Sequence, residues 1–188
     1  MTAALATRFA TLGVVVALVV AACGGSSSEE SSRQNPAGIG EPVSTTITTA
    51  DGAFDMRLTL HQALRGLPAL ASILEADSSN GGPAQGFDYV LALVTFEYLR
   101  GPDENTQFFL SSFDFTAVSS DGKDYLEPLF AIEPKPRMGA NLYPGSSHEG
   151  WLILQVERGD AAPLMAFGRD ALGRGGAWWR LPILEPPP

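Results

Sequence analysis

FDYVLALVTFEYL, residues 87–99, is the stretch on which the fold class turns. It is apolar on both faces and rich in aromatic and β-branched side chains, which suits a central strand covered by a second sheet. A buried helix is the alternative, since periodicity alone does not decide a short apolar run. Gly101-Pro102-Asp103 ends the run with a turn signal.

The neighbouring segments favour the strand. Phe54, Met56, Leu58 and Leu60 alternate with Asp55, Arg57, Thr59 and His61, a period of two that marks a half-buried strand. Asp51-Gly52 before it is a turn pair. Residues 107–119, QFFLSSFDFTAVS, read as another strand, with Ser120-Asp121-Gly122-Lys123 as the hairpin turn after it. GWLILQVE from Gly150, PLMAF and AWWRLPI supply further strands. Residues 66–86 read as a loop with at most one or two helical turns. Short strands between Gly, Asp and Pro turns, without long helices, predict an all-β antiparallel sandwich of about seven to eight strands.

Upstream, residues 1–22 read as a signal peptide. Phe9 to Ala22 is uncharged, too short to span a hydrocarbon core of about 30 Å as an anchor but suited to an h-region. It ends in Val20-Ala21-Ala22-Cys23, which resembles a bacterial lipobox, so Cys23 is the expected lipidation site. Cys23 is the chain's one cysteine, so its acylation would leave no thiol for a disulfide, a redox pair or a thiolate metal site. Anchoring through lipid on the extracytoplasmic side of a bacterial membrane is the implied localisation, and the membrane the first expected partner. Residues 23–42, poor in apolar side chains, read as a lipidated flexible tether. The expected domain is then 43–183, and 184–188 is a Pro-rich tail.

Without residues 1–22, the chain has 11 Lys+Arg against 21 Asp+Glu. That excess of acid argues against a nucleic-acid footprint and against electrostatic attachment of the whole domain to an anionic bilayer, and it favours solubility.

Several spacings resemble a known group. Phe115 through Asp121-Gly122 to Tyr125 is similar to a hairpin of the bacterial telokin-like, immunoglobulin-like domains, a group with a secreted immunoprotective antigen of mycobacteria and many lipoproteins. Leu142-Tyr-Pro-Gly145 through Gly150-Trp151 to Val156 is similar to a second segment of that group. The resemblance covers roughly residues 45–182 and departs where the group often has asparagine after the central strand; here stands Glu97-Tyr98-Leu99-Arg100. It implies an immunoglobulin-like sandwich outside the cytoplasm and no catalytic activity. The residues have structural reasons of their own: Gly122 for a tight turn, and Trp151 as a core anchor if its indole N–H is partnered.

Chemistry is sparse. His61 and His148 are the two histidines, and neither has converging ligands in its surroundings; no metal and no cofactor is expected. Asp103-Glu104-Asn105 lacks the spacing of a calcium loop and reads as a turn. Ser146, Ser147, His148 and Glu149 are the least implausible centre for an envelope hydrolase, but no nucleophile elbow is present. Gly168 to Gly176 reads as the connection into the last strand rather than a phosphate loop. In Trp178-Trp179-Arg180 neighbouring tryptophans face opposite sides, so an exposed one beside Arg180 could anchor an envelope protein or a glycan; a tryptophan covering a sheet edge is the alternative. The expectation is a non-enzymatic binding or structural module, with an accessory subunit of an envelope complex or the hydrolase as alternatives.

Overall fold

The computed structural model describes residues 31–128 and 131–182. Phe87–Arg100 is strand β3, at the interior of a four-stranded antiparallel sheet. Its neighbours are β2 (Gly52–Arg65) and β7 (Ser147–Glu157), with β1 (Pro42–Thr49) outside β2. The helix alternative for residues 87–99 is thereby excluded. Val90, Ala92, Val94, Phe96 and Tyr98 face the main core, whereas Tyr89 and Leu91 belong to a second cluster with Ala69 and Ile73 of helix α1 (Leu67–Ala76). The two apolar faces of the strand therefore have two different covers. Beyond Leu93 the helix no longer roofs the sheet, and Thr95 and Glu97 take over the outer face; Glu97 pairs there with Arg57.

Helix α1 is longer than the expected one or two turns. Pro68 falls in its first turn, where a missing N–H costs nothing. The buried side chain of Asn80 fastens its C-terminal end: Nδ2 donates to the carbonyls of Ile73 and Ile132 at 2.9 and 3.0 Å, and Oδ1 accepts from Ile132 N–H at 2.7 Å.

The second layer contains β5 (Phe115–Val118), β8 (Leu164–Phe167) and β9 (Ala177–Arg180), together with the pair β4 (Phe108–Ser111) and β6 (Gly139–Leu142). The protein is an all-β antiparallel sandwich with nine strands among the described residues. The expected single strand over 107–119 is divided by a 3₁₀ turn at Ser112–Asp114. Ser111 Oγ accepts from Phe113 N–H, and Asp114 Oδ2 accepts from Ser111 N–H at 2.8 Å. That reciprocal cap turns the chain, so β4 and β5 pair with different strands.

Between the layers lies an aromatic core. Phe96 stacks on Phe108 at 5.4 Å between centroids and meets Phe167 at 5.6 Å, and Phe167 meets Phe115 at 4.9 Å. Such pairs contribute about 0.5–1.5 kcal/mol each beyond area burial. The fully buried tryptophan is Trp179. Trp151, the expected core anchor, is half-buried on the outer face beside the helix cluster.

The expected tether needs correction at its C-terminal end. Ala37 N–H donates to Trp178 O at 2.8 Å, Arg180 N–H donates to Ala37 O at 3.0 Å, and Gly40 N–H donates to Leu60 O at 2.7 Å. Ser31 Oγ accepts from Trp178 N–H at 2.7 Å. The open edge of β9 supplies backbone partners that composition does not reveal. The folded unit therefore begins by Ser31, not at Val43. The signal peptide, Cys23 and the 184–188 tail lie outside the described residues.

Gly150 illustrates a glycine required by close approach. Residues 136–138 run along β7, with Trp151 N–H donating to Pro136 O and Met138 N–H donating to Trp151 O. A Cβ on Gly150 would stand 2.6 Å from Arg137 O. Gly150→Ala is expected to lower stability by about 1–3 kcal/mol, measured by thermal or urea unfolding against an alanine substitution at the open Gly159.

Candidate functional site

Strand β2 carries the residue that organises one end of the sandwich. Its register against β3 slips between Leu60 and Gln62, leaving His61 as an extra residue. Before the slip the even-numbered residues Phe54 to Leu60 face the core; after it Ala63 and Arg65 lie opposite Ala92 and Val90 on that face. A continued alternation would have sent Arg65 outward.

Inside, the Arg65 side chain is 1% exposed. Nη1 donates to the carbonyls of Asp160 at 2.9 Å and Pro182 at 3.2 Å, and Nη2 to those of Glu157 at 2.9 Å and Arg158 at 3.1 Å. Nε lies 3.7 Å from Asp88 Oδ2, an ion pair without a hydrogen bond, while Asp88 Oδ1 accepts from Arg158 Nε at 3.1 Å. One guanidinium thus joins the end of β7, the loop after it and the exit from β9.

Asp160 extends this frame to the surface. Oδ2 accepts from the Tyr125 hydroxyl at 2.7 Å and from Ser120 N–H at 3.0 Å, and Oδ1 accepts from Ala162 N–H at 3.0 Å. Burial pushes the Asp160 carboxyl up, but the hydrogen bonds from Ala162, Tyr125 and Ser120 outweigh it and leave the group below its ordinary value. Burial, followed by the bond to Asp160, raises the Tyr125 phenol well above its ordinary range.

Ser120 and Ala162, both held by Asp160, form walls of a surface cleft of about 420 Å³. Pro36, Pro163, Leu164 and Leu181 contribute apolar lining, and Arg33 and Arg180 contribute charge. The described ion pairs engage Arg57, Arg65, Arg100, Lys123, Arg158, Arg169 and Arg174. Among the described residues, neither Arg33 nor Arg180 is paired with a carboxylate. Arg33 lies over the SDGK turn, where Gly122 has φ 90° and a Cβ would strike its guanidinium.

The expected partner-binding triplet is split by this arrangement. Trp179 lies in the main core, and Trp178 faces the other way, as alternation requires, yet is only 5% exposed. Its indole N–H donates to Gly175 O at 2.9 Å, and the Arg169 guanidinium lies 5.5 Å from its ring centroid. The 168–176 connection covers it through Gly175 and Arg169, so the exposed-tryptophan expectation is corrected. Arg180 alone of the three reaches solvent, in the cleft.

Other candidates have structural occupations. His148 Nε2 is hydrogen-bonded to Arg137 O at 2.8 Å, and His61 Nε2 to Thr95 Oγ1 at 2.8 Å. Asp103 accepts from Asn105 N–H and Thr106 Oγ1 within its own turn. Among the described residues no three His, Cys, Asp or Glu side chains are grouped to hold a metal, and no helix is long and apolar enough to cross a membrane. Sequence reading missed Arg33, Arg65 and Asp160. Asp160-Ala-Ala162 did carry a local signal, an aspartate able to accept from the backbone two residues on.

No family model matches the chain, and no curated protein matches it. Among solved structures, it is similar to a candidate lipoprotein, ycdA, from Bacillus subtilis subsp. subtilis str. 168, at 13% identity and a TM-score of 0.48. That match covers 74% of this chain and spans only 38% of the ycdA chain. It is also similar to the secreted protein MPT63 of Mycobacterium tuberculosis, at 14% identity and TM-score 0.47, over 77% of this chain and 97% of that one. A third likeness is the yjhA protein of Bacillus subtilis, at 13% identity and TM-score 0.46, over 77% and 98% of the two chains. No residue role is carried over from any of them.

Two outcomes test the frame. Arg65→Met removes a buried charge and strands four carbonyls, with an expected loss of about 3–5 kcal/mol in chemical denaturation. Asp160→Asn lowers stability at neutral pH. Because the folded carboxyl titrates below the unfolded value near 3.8, the deficit relative to wild type persists above that pH. It disappears as the pH falls from there through the folded value, as read from unfolding curves across acid pH.

Proposed function

We propose that the chain is a lipid-anchored, non-catalytic binding module on the extracytoplasmic side of a bacterial membrane, presenting the Arg33–Arg180 cleft to an anionic component of the envelope. The carrying observation is that cleft. Two guanidiniums without a described carboxylate partner border an apolar floor, on walls positioned by Asp160 and Arg65. Charge-assisted bonds from guanidinium to carboxylate or phosphate are about twice as strong as neutral ones, and arginine retains its charge at all physiological pH values. In a chain with 21 acidic and 12 basic residues, such a site selects its ligand by local rather than net charge. Acidic proteins, acidic glycans and phospholipid headgroups share the required chemistry.

The anchoring half of the reading rests on Val20-Ala21-Ala22-Cys23 and the short apolar run before it. Mass spectrometry of the N-terminus from bacterial membranes is expected to find cleavage before Cys23 and acylation of the cysteine; an unacylated Cys23 or cleavage elsewhere removes the anchor. For recognition, a photo-crosslinker in place of Ala162, at the cleft wall, is expected to capture an envelope component on intact cells. The same probe in place of Glu104, in the exposed turn after β3, is expected to leave that product absent. Equal labelling from both positions would detach recognition from the cleft.

A further inference from the structure

The cleft and the chain leading to it together narrow the ligand. Arg33 lies ten residues after Cys23 and Ser31 eight. At about 3.3–3.6 Å per residue, the Arg33 backbone cannot stand farther than about 36 Å from the Cys23 backbone, even with every intervening residue extended. A tether free as far as residue 42 would have allowed the folded domain about twice that reach. Docking of Ser31, Ala37 and Gly40 on the sandwich removes that slack, because those residues are fixed to β9 and β2. An acylated Cys23 therefore keeps the Arg33 side of the cleft within about 36 Å of the membrane that carries it, close enough to reach the headgroup layer.

The cleft is also headgroup-sized. At about 420 Å³ it is lined by Arg33 and Arg180 together with the apolar Pro36, Ala162, Pro163, Leu164 and Leu181. A phosphodiester presents two anionic oxygens to guanidinium donors, and its glycerol carbons suit an apolar wall. Two described carboxylates beside the cleft are already engaged. Asp160 is occupied by Tyr125, Ser120 and Ala162, and Asp121 is paired with Lys123. An extended acidic protein or glycan would meet the chain's general excess of negative charge, whereas a single headgroup meets only the cleft. The same excess opposes a densely anionic bilayer, but an anchored domain samples its own membrane at high effective concentration.

We propose that the Arg33–Arg180 cleft binds the phosphodiester of an anionic phospholipid in the membrane that carries the chain, and so orients the domain on that surface. This rests on the anchored-module reading above, and acylation of Cys23 is checked independently by mass spectrometry on the same preparation.

The test uses the membrane-purified chain in phosphatidylcholine nanodiscs. The probes are glycerophosphoglycerol, glycerophosphocholine and inorganic phosphate, each followed by ligand-detected NMR. Glycerophosphoglycerol is expected to bind saturably, and at least about tenfold more tightly than to the Arg33→Gln/Arg180→Gln double variant. Both positions are at the surface, so the variant's thermal unfolding is expected to match wild type. Nanodiscs of equal parts phosphatidylglycerol and phosphatidylcholine are expected to weaken the soluble probe's binding, because bilayer lipid already occupies the cleft. Three results would overturn the proposal: no saturable binding, equal binding by the double variant, or no competition from phosphatidylglycerol. Inorganic phosphate binding as tightly as the diester would instead assign a free-phosphate site and overturn the lipid source. Probe binding with an unacylated Cys23 would sink the anchor while sparing the cleft chemistry; an acylated chain that binds no probe would do the reverse.

Discussion

The end of the sandwich that carries the cleft depends on one buried guanidinium. Burying a charge costs several kcal/mol unless its donors are matched, and Arg65 meets that requirement with four main-chain carbonyls and the Asp88 carboxylate. Those carbonyls come from two stretches of chain far apart in sequence: the end of β7 with the turn at Asp160, and the segment leaving β9. An apolar side chain could fill the volume, but it could not satisfy carbonyls that point inward from loops. The guanidinium's planar fork does both, which explains arginine rather than lysine at this position.

Arg65 reaches that place through a fault in its own strand. The alternation of Phe54 to Leu60 was legible in the sequence, and it implied that every later odd residue would face water. The extra residue at His61 reverses the parity, so an arginine that continued alternation would turn to solvent becomes the most buried charge described. Nothing in LHQALRG signals a bulge, because bulges answer to partner strands rather than to local composition. The same limit explains the strand expected over 107–119. Its phenylalanines, Thr116 and Val118 favour a strand throughout, and the reciprocal bonds between Ser111 and Asp114 show that it turns between two pairings.

What the sequence did disclose followed from burial on faces and from turn chemistry. The two-faced run at residues 87–99, the Asp121-Gly122 turn and the opposite orientations of Trp178 and Trp179 all depend on one strand or one turn, so local pattern carries them. What it concealed depended on open edges. Residues 31–41 have the composition of a linker, and they are nevertheless docked because β9 offers unpaired backbone groups that Ala37 completes. Docking the segment also ties Ser31 and Ala37 to the Trp178 main chain and brings Arg33 to the cleft.

The charge pattern gives that cleft its meaning. Exposed ion pairs such as Arg100–Asp55, Arg174–Asp170 and Lys123–Asp121 add little to stability. Their larger effect is to neutralise most of the few cations in an acidic chain within its own surface. Positive potential then survives where a cation lacks such a partner, and among the described residues Arg33 and Arg180 are two such cations brought to one cleft. Chance would more often leave leftover cations scattered and solvated, each at little cost. Placing both along one cleft, on walls positioned by Asp160 and Arg65, gives an otherwise acidic surface one site where two arginines stand without a described carboxylate partner.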